Sequence, residues 1–134
     1  MAKLYLIGGC RITKKGIAMI TLKIDDIPSS NNKYIGRDAK WAYQDEKKKW
    51  AWLIKAAAAP VKPGVPYEYA DVTLRYSFKD RRRRDPDNYS GKMILDGLVG
   101  AGIIKDDSFT NIRLILEAEF GKDKGTEIIV KARD

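Results

Sequence analysis

The chain has no histidine at all and a single cysteine, Cys10. Without histidine there is no His-ligated zinc, no Ser-His-Asp triad and no imidazole general base. A lone cysteine cannot close an internal disulfide. The 134 residues must therefore hold together through their own core, and a chain of this length buries roughly two-thirds of the surface it exposes when unfolded. Long apolar runs are missing as well. None approaches the ~18 residues of a spanning helix, and Met1-Ala2-Lys3-Leu4-Tyr5-Leu6-Ile7 reaches Gly8-Gly9 too soon for a signal peptide. The expectation is a cytoplasmic protein with no membrane partner, whose acid–base or metal chemistry falls to Asp, Glu, Lys, Tyr or water.

Positive charge is in excess. Lys and Arg number 26 against 18 Asp and Glu, a net charge of +8. Such a balance favours nucleic acid or another anionic surface as partner, and says nothing about fold.

Hydrophobic spacing supplies the fold class. Residues 3–7 and 17–24 are β-prone, with Gly8-Gly9 and Lys14-Lys15-Gly16 as turn material, which predicts an N-terminal hairpin. Residues 27–34 read as a loop rich in Pro, Ser and Asn. It is either a connector or, with amides such as Asn31 and a cation such as Lys33, a phosphate contact. Asp38 is placed to cap a helix running to about residue 59, which Pro60 and Pro63-Gly64 stop. On it Tyr43, Trp50, Leu53, Ile54 and Ala57 share one stripe, while Trp41, Lys48 and Trp52 share another. The aromatics suit core or subunit packing more readily than base stacking. Lys47-Lys48-Lys49 suits a solvated face or a DNA contact equally.

Residues 67–78 alternate strictly and predict a strand. A helix is expected from about 85 to 99, closed by Gly100-Ala101-Gly102. Residues 112–119 and 126–132, around a turn at 121–125, predict a final hairpin. Strands, helix, strand, helix, hairpin make one α+β domain, a mixed sheet with helices packed against it.

Chemistry concentrates where Arg81-Arg82-Arg83-Arg84 runs into Asp85-Pro86-Asp87-Asn88, followed by Asp106-Asp107-Ser108. Singly, each piece has a structural explanation. Asp85-Pro86 is a helix start, Asp87 suits the first turn, and Asp106-Asp107-Ser108 can be a plain turn. Jointly they point elsewhere. Four adjacent arginines suit a polyanion, and three carboxylates in one pocket stay ionised most simply around Mg²⁺ or Mn²⁺. Such an ion neutralises a phosphate and activates water without any histidine. Lys92 follows Asp85 by seven residues and Asn88 by four, which on one helix puts it on their side. It either stabilises charge on the reacting phosphate or pairs with Asp96 four residues on.

At these residues the chain resembles the RusA family of Holliday-junction resolvases. The match is the arginine run into Asp-x-Asp-Asn (Arg81 to Asn88), then Lys92, Asp96-Gly97-Leu98 and Ala101-Gly102-Ile103-Ile104-Lys105-Asp106-Asp107-Ser108. Upstream, Pro28-Ser29-Ser30-Asn31-Asn32-Lys33-Tyr34 is similar to the family's Pro-Ser-x-Asn-x-x-Tyr signature. The resemblance implies a homodimeric crossover-junction endodeoxyribonuclease, acting in DNA recombination and repair. It would nick opposed strands of a four-way DNA junction with Mg²⁺ or Mn²⁺ and no organic cofactor. It carries over Asp85, Asp87 and Asp107 as metal-binding catalytic carboxylates and Lys92 as the catalytic lysine. Arg81, Arg82, Arg83, Arg84, Asn88, Asn31 and Lys33 become DNA contacts. The chain departs from the pattern twice. Lys92 follows Asp87 by five residues where the family commonly has four, and Gly91 is expected to mark a one-residue bulge that restores its aim. Residues 1–18 look like an N-terminal extension, adding an edge hairpin or altering dimer packing. Two rivals use the same residues: a non-catalytic nucleic-acid-binding module, and a basic assembly protein whose aspartates only cap helices.

Overall fold

The computed structural model describes residues 6–12, 18–34 and 39–133. Five strands, β1 (Leu6–Ile12), β2 (Ala18–Ile24), β3 (Ala70–Phe78), β4 (Ile112–Phe120) and β5 (Gly125–Ala132), form one sheet in the order β1-β2-β5-β3-β4. Only β3 and β4 run parallel, and the other neighbours are antiparallel. Two helices, α1 (Ala39–Ala58) and α2 (Lys92–Gly100), lie on one face, so the fold is α+β with a mixed sheet.

The alternation read from sequence sets which face is covered. Along β3, Ala70, Val72, Leu74, Tyr76 and Phe78 are buried, while Asp71, Thr73, Arg75 and Ser77 face out. Ile20, Leu22 and Ile24 of β2 and Ile128 and Val130 of β5 extend the same layer. From α1, Trp50, Leu53, Ile54 and Ala57 close over it, joined by Met93, Ile94 and Leu98 of α2. Deleting one such buried aliphatic side chain to Ala costs about 2–5 kcal/mol. Gly97 lets the helices meet, because a Cβ there would stand 2.7 Å from Ile54 Cδ1. The other face of the sheet is polar. Arg75 bridges Glu117 (2.8 Å) and Glu127 (2.7 Å) on either side, and Asp71 holds Arg113 at 3.0 Å.

Several expectations need correction. The first strand is residues 6–12, and Gly8 and Gly9 lie inside it, paired with Leu22 and Thr21. Ladder bonds come from the backbone, so a regular neighbour can hold glycines of low β propensity in register. The turn at Lys14-Lys15-Gly16 and the Asp38 cap lie outside the described residues. The last two strands do not form a hairpin. β5 crosses to the far side of β3 and pairs with both β3 and β2. Burial explains the choice: β5 buries alternate residues from Thr126 to Val130, as a central strand must, whereas β4 buries Ile112 alone. β3 starts at Ala70, with Tyr67 making only a bridge to Ile104. Among the described residues no helix is long and apolar enough to cross a membrane.

Candidate nucleic-acid interface and acidic site

The expected helix from residue 85 to 99 is two elements. Pro86–Tyr89 is a 3-10 turn, and α2 begins at Lys92 after Gly91, whose φ is 79°. Gly91 is thus a left-handed break and not a bulge within a helix. Two constraints require glycine there. The backbone conformation disfavours a Cβ, and one would sit 2.1 Å from Leu74 Cδ1. The chain is drawn down onto β3 because the buried hydroxyl of Tyr76 donates to the carbonyl of Tyr89 (2.9 Å). Burial, with the neighbouring Tyr89, raises the pKa of that hydroxyl. The break also removes the helical-face argument that put Lys92 alongside Asp85 and Asn88. Asp85 makes no side-chain cap. Its carbonyl receives the Asn88 amide at 3.0 Å.

Upstream, an aromatic cluster anchors the arginine run. The rings of Tyr76, Phe78 and Tyr89 pack with centroids 5.4–6.2 Å apart. Arg84 lies 4.1 Å over the Phe78 ring, and Arg81 lies 4.9 Å over Phe120. Arg84 also donates to the Asp80 carboxylate (3.0 Å) and to the carbonyls of Asp80 and Arg82. It is therefore a staple of its own loop and not an outward cation. The Arg82 amide, with Arg84 and the nearby positive charge, keeps the exposed Asp80 carboxyl below its ordinary pKa. Arg81, Arg82 and Arg83 are exposed, and Arg83 reaches Asp85 at 3.3 Å.

The two segments flagged from sequence meet. Asn31, in the 3-10 turn Asn31–Tyr34, donates its amide to the Asp87 carbonyl (2.9 Å) and the Ser90 hydroxyl (3.2 Å). Ser29 anchors that loop to α1, donating both its amide and its hydroxyl to Glu46 (2.9 and 3.0 Å). Lys33 is exposed, 3.5 Å from the Ser29 hydroxyl. A small cleft between the segments is lined by Ser29, Asn31, Tyr43, Asn88 and Lys92.

Lys92 pairs with Asp96 at 3.2 Å, and Lys47 approaches the same carboxylate at 3.7 Å. The helix-surface pair weighed from spacing is therefore made. The Asp96 hydrogen bond and charge, with Asp107 adding its own, raise the Lys92 pKa. Asp107 is thus close enough for its charge to act on Lys92. It sits in the turn before β4, where Asp106 accepts its backbone N–H (2.8 Å).

No described hydrogen bond or ion pair engages the side-chain carboxylates of Asp87 or Asp107, and both offer the hard oxygen donors that Mg²⁺ or Mn²⁺ prefers. The donor chemistry fits such an ion. As placed, however, no group of three or more metal-ligating side chains among the described residues stands close enough to hold one. The structure gathers Asn31, Asn88 and Lys92, places Asp87 beside them, and leaves Asp85 with Arg83.

Sequence reasoning missed the supports: Asp80 and Phe78 under Arg84, Phe120 under Arg81, Glu46 under Ser29, and Lys47 beside Asp96. Only Asp80, four residues before Arg84, carried a readable signal. Trp41 and Trp52 stand 76% and 65% exposed on the outer stripe of α1, away from the core that takes Trp50. Scanned against protein-family models the chain matches none, and a search of curated proteins returns no match.

Proposed function

We propose that this chain is a metal-dependent, structure-selective DNA endonuclease of the RusA type, working as a homodimer on four-way junctions. The observation that carries the reading is the meeting of the Ser29–Asn31 loop with the Asp85–Lys92 segment beside three exposed arginines. Asn31 holds the Asp87 turn against this cleft, and the charge of Asp107 acts on Lys92 in its lining.

In this reading Arg81, Arg82 and Arg83 take DNA phosphates, and Arg84 holds their loop in shape. Asn31 positions the Asp87 turn. Asn88 and Lys33 contact the strand on either side of the cleft. Lysine is protonated at neutral pH, and Asp96 and Asp107 raise the pKa of Lys92 further. It is therefore a stabiliser of negative charge on the reacting phosphate and not a base. Asp85, Asp87 and Asp107 would hold Mg²⁺ or Mn²⁺ only if drawn closer together than they stand here, and the ion would supply Lewis acidity and lower the pKa of water.

The test is incubation of purified protein with an end-labelled mobile four-way junction, with and without Mg²⁺. Paired symmetric nicks that need the ion are expected. Salt-sensitive binding with no product strand would favour a second reading, a non-catalytic nucleic-acid module. The exposed rings of Trp41 and Trp52 on a lysine-rich helix favour that alternative, since bare aromatics offer stacking platforms for unpaired bases.

A further inference from the structure

We infer that the open edge of β4 is an interface for a second copy of this chain, the two β4 strands pairing antiparallel across a two-fold axis at Leu116. This deepens the proposed function, resting on it only for the idea that the protein works as a pair.

The backbone is set up for such pairing. In a parallel ladder a residue's N–H and C=O point the same way, and successive residues alternate. Asn111 gives its carbonyl to Ala70, and Gly121 gives its N–H to Phe78. Odd-numbered residues of β4 therefore face β3, and Leu114, Leu116 and Ala118 present their N–H and C=O outward. No described strand meets them, since β4 ends the sheet. Nine regular residues make a long edge, and a bare edge of that kind pairs with another chain unless something covers it.

The side chains select both occupant and register. Antiparallel pairing about Leu116 sets all nine residues against nine. It places Arg113 opposite Glu119 of the second copy twice over, opposite charges across the seam. Sliding one step toward the C-terminus would oppose Glu117 to Glu117. Sliding the other way would pair only residues 112–118 of each strand and leave Glu119 and Phe120 opposite residues outside β4. On the helix-covered face the centred register lays Phe120 of the second copy, 44% exposed in the monomer, across from Ile112. There a groove of about 690 Å³, lined by Leu95, Phe109, Ile112 and Leu114 and bordered by Asp107 and Arg133, runs beside the strand. Phe109 is fully exposed at its rim. An axis through this seam stands perpendicular to the sheet. Both helical layers then lie on the same face of a ten-stranded sheet.

The test needs neither DNA nor metal, so its failure is separate from failure of the nuclease reading. Sedimentation should give a dimer, with Ala118→Pro raising its dissociation constant at least tenfold. In that variant an outward N–H is removed while the bonds to β3 remain. With Cys10 replaced by Ser, Leu116→Cys should cross-link into a covalent dimer on oxidation. Ala118→Cys, whose opposite residue is Leu114, should not. A monomer at tens of micromolar, a dimer that Ala118→Pro leaves intact, or cross-linking at 118 in preference to 116 would overturn the proposal. Should Ala118→Pro fail to fold, the cysteine pair decides alone.

Discussion

The side-chain amide of Asn31 donates to the backbone carbonyl of Asp87 across a separation of 56 residues. This bond ties the Pro-Ser-rich loop to the acidic turn. It is exposed, so Asn31→Ala should lower stability by only about 1 kcal/mol or less. Cleavage should fall at least tenfold if the bond sets the turn's position. Urea denaturation and a nicking assay on the same preparation measure both. Loss of activity no larger than the loss of folded protein would assign Asn31 a purely structural part.

Asp87 presents a carboxylate that no described group engages. Asp87→Asn should therefore abolish cleavage while junction binding persists or tightens, because a negative charge near phosphate is removed. Gel-shift and cleavage assays in Mg²⁺ check the two halves separately. Cutting at the parental rate would remove Asp87 from the machinery.

Gly91 bears on folding rather than chemistry. Gly91→Ala meets both a left-handed backbone and a Cβ only 2.1 Å from Leu74 Cδ1. We expect a loss of roughly 2–4 kcal/mol, combining about 1–2 for the backbone with the strain of overpacking. In a Leu74→Val background, which lacks the clashing methyl, the added cost should shrink toward the backbone part alone. Thermal melts of the four proteins measure that coupling.

Asp26 predicts an acid limb. Burial opposes its charge, yet hydrogen bonds from Lys49 and the Ile27 amide, with Lys124 at 3.2 Å, hold its pKa below the ordinary 3.8. The folded value is depressed. Its contribution is therefore complete above about pH 4 and fades as pH falls through the lower folded value. Asp26→Asn should cost about 1 kcal/mol or less at pH 7, since both lysines are half exposed. The difference from the parent should vanish in strong acid. Denaturation midpoints from pH 2 to 7 give the curve.

What was legible in the sequence is what depends on near neighbours. Alternation from Ala70 to Phe78 located β3 and its covered face. The stripe of Trp50, Leu53, Ile54 and Ala57 located the side of α1 that meets the sheet. What was not legible depends on distant partners. The 3-10 turn at Pro86–Tyr89 exists because Tyr76 reaches the Tyr89 carbonyl, and Gly91 is left-handed because Leu74 lies beneath it. No local spacing encodes either. In the same way Arg84 read as one of four equal cations until Phe78 and Asp80 turned it inward. The placing of β5 between β2 and β3 was hidden by the short turn after β4, whose length suits a hairpin.

That last arrangement governs the kinetics of assembly. β5 is the final strand in sequence yet lies at the centre of the sheet, where the Thr126 hydroxyl bonds the Asp26 carbonyl from 100 residues away. Until it inserts, the β1-β2 and β3-β4 halves share no strand bonds. Folding must therefore close its longest loop before the sheet becomes continuous, which slows it relative to a domain of sequential hairpins. A chain in which β5 has not yet docked carries two separate half-sheets, each with an unfilled edge.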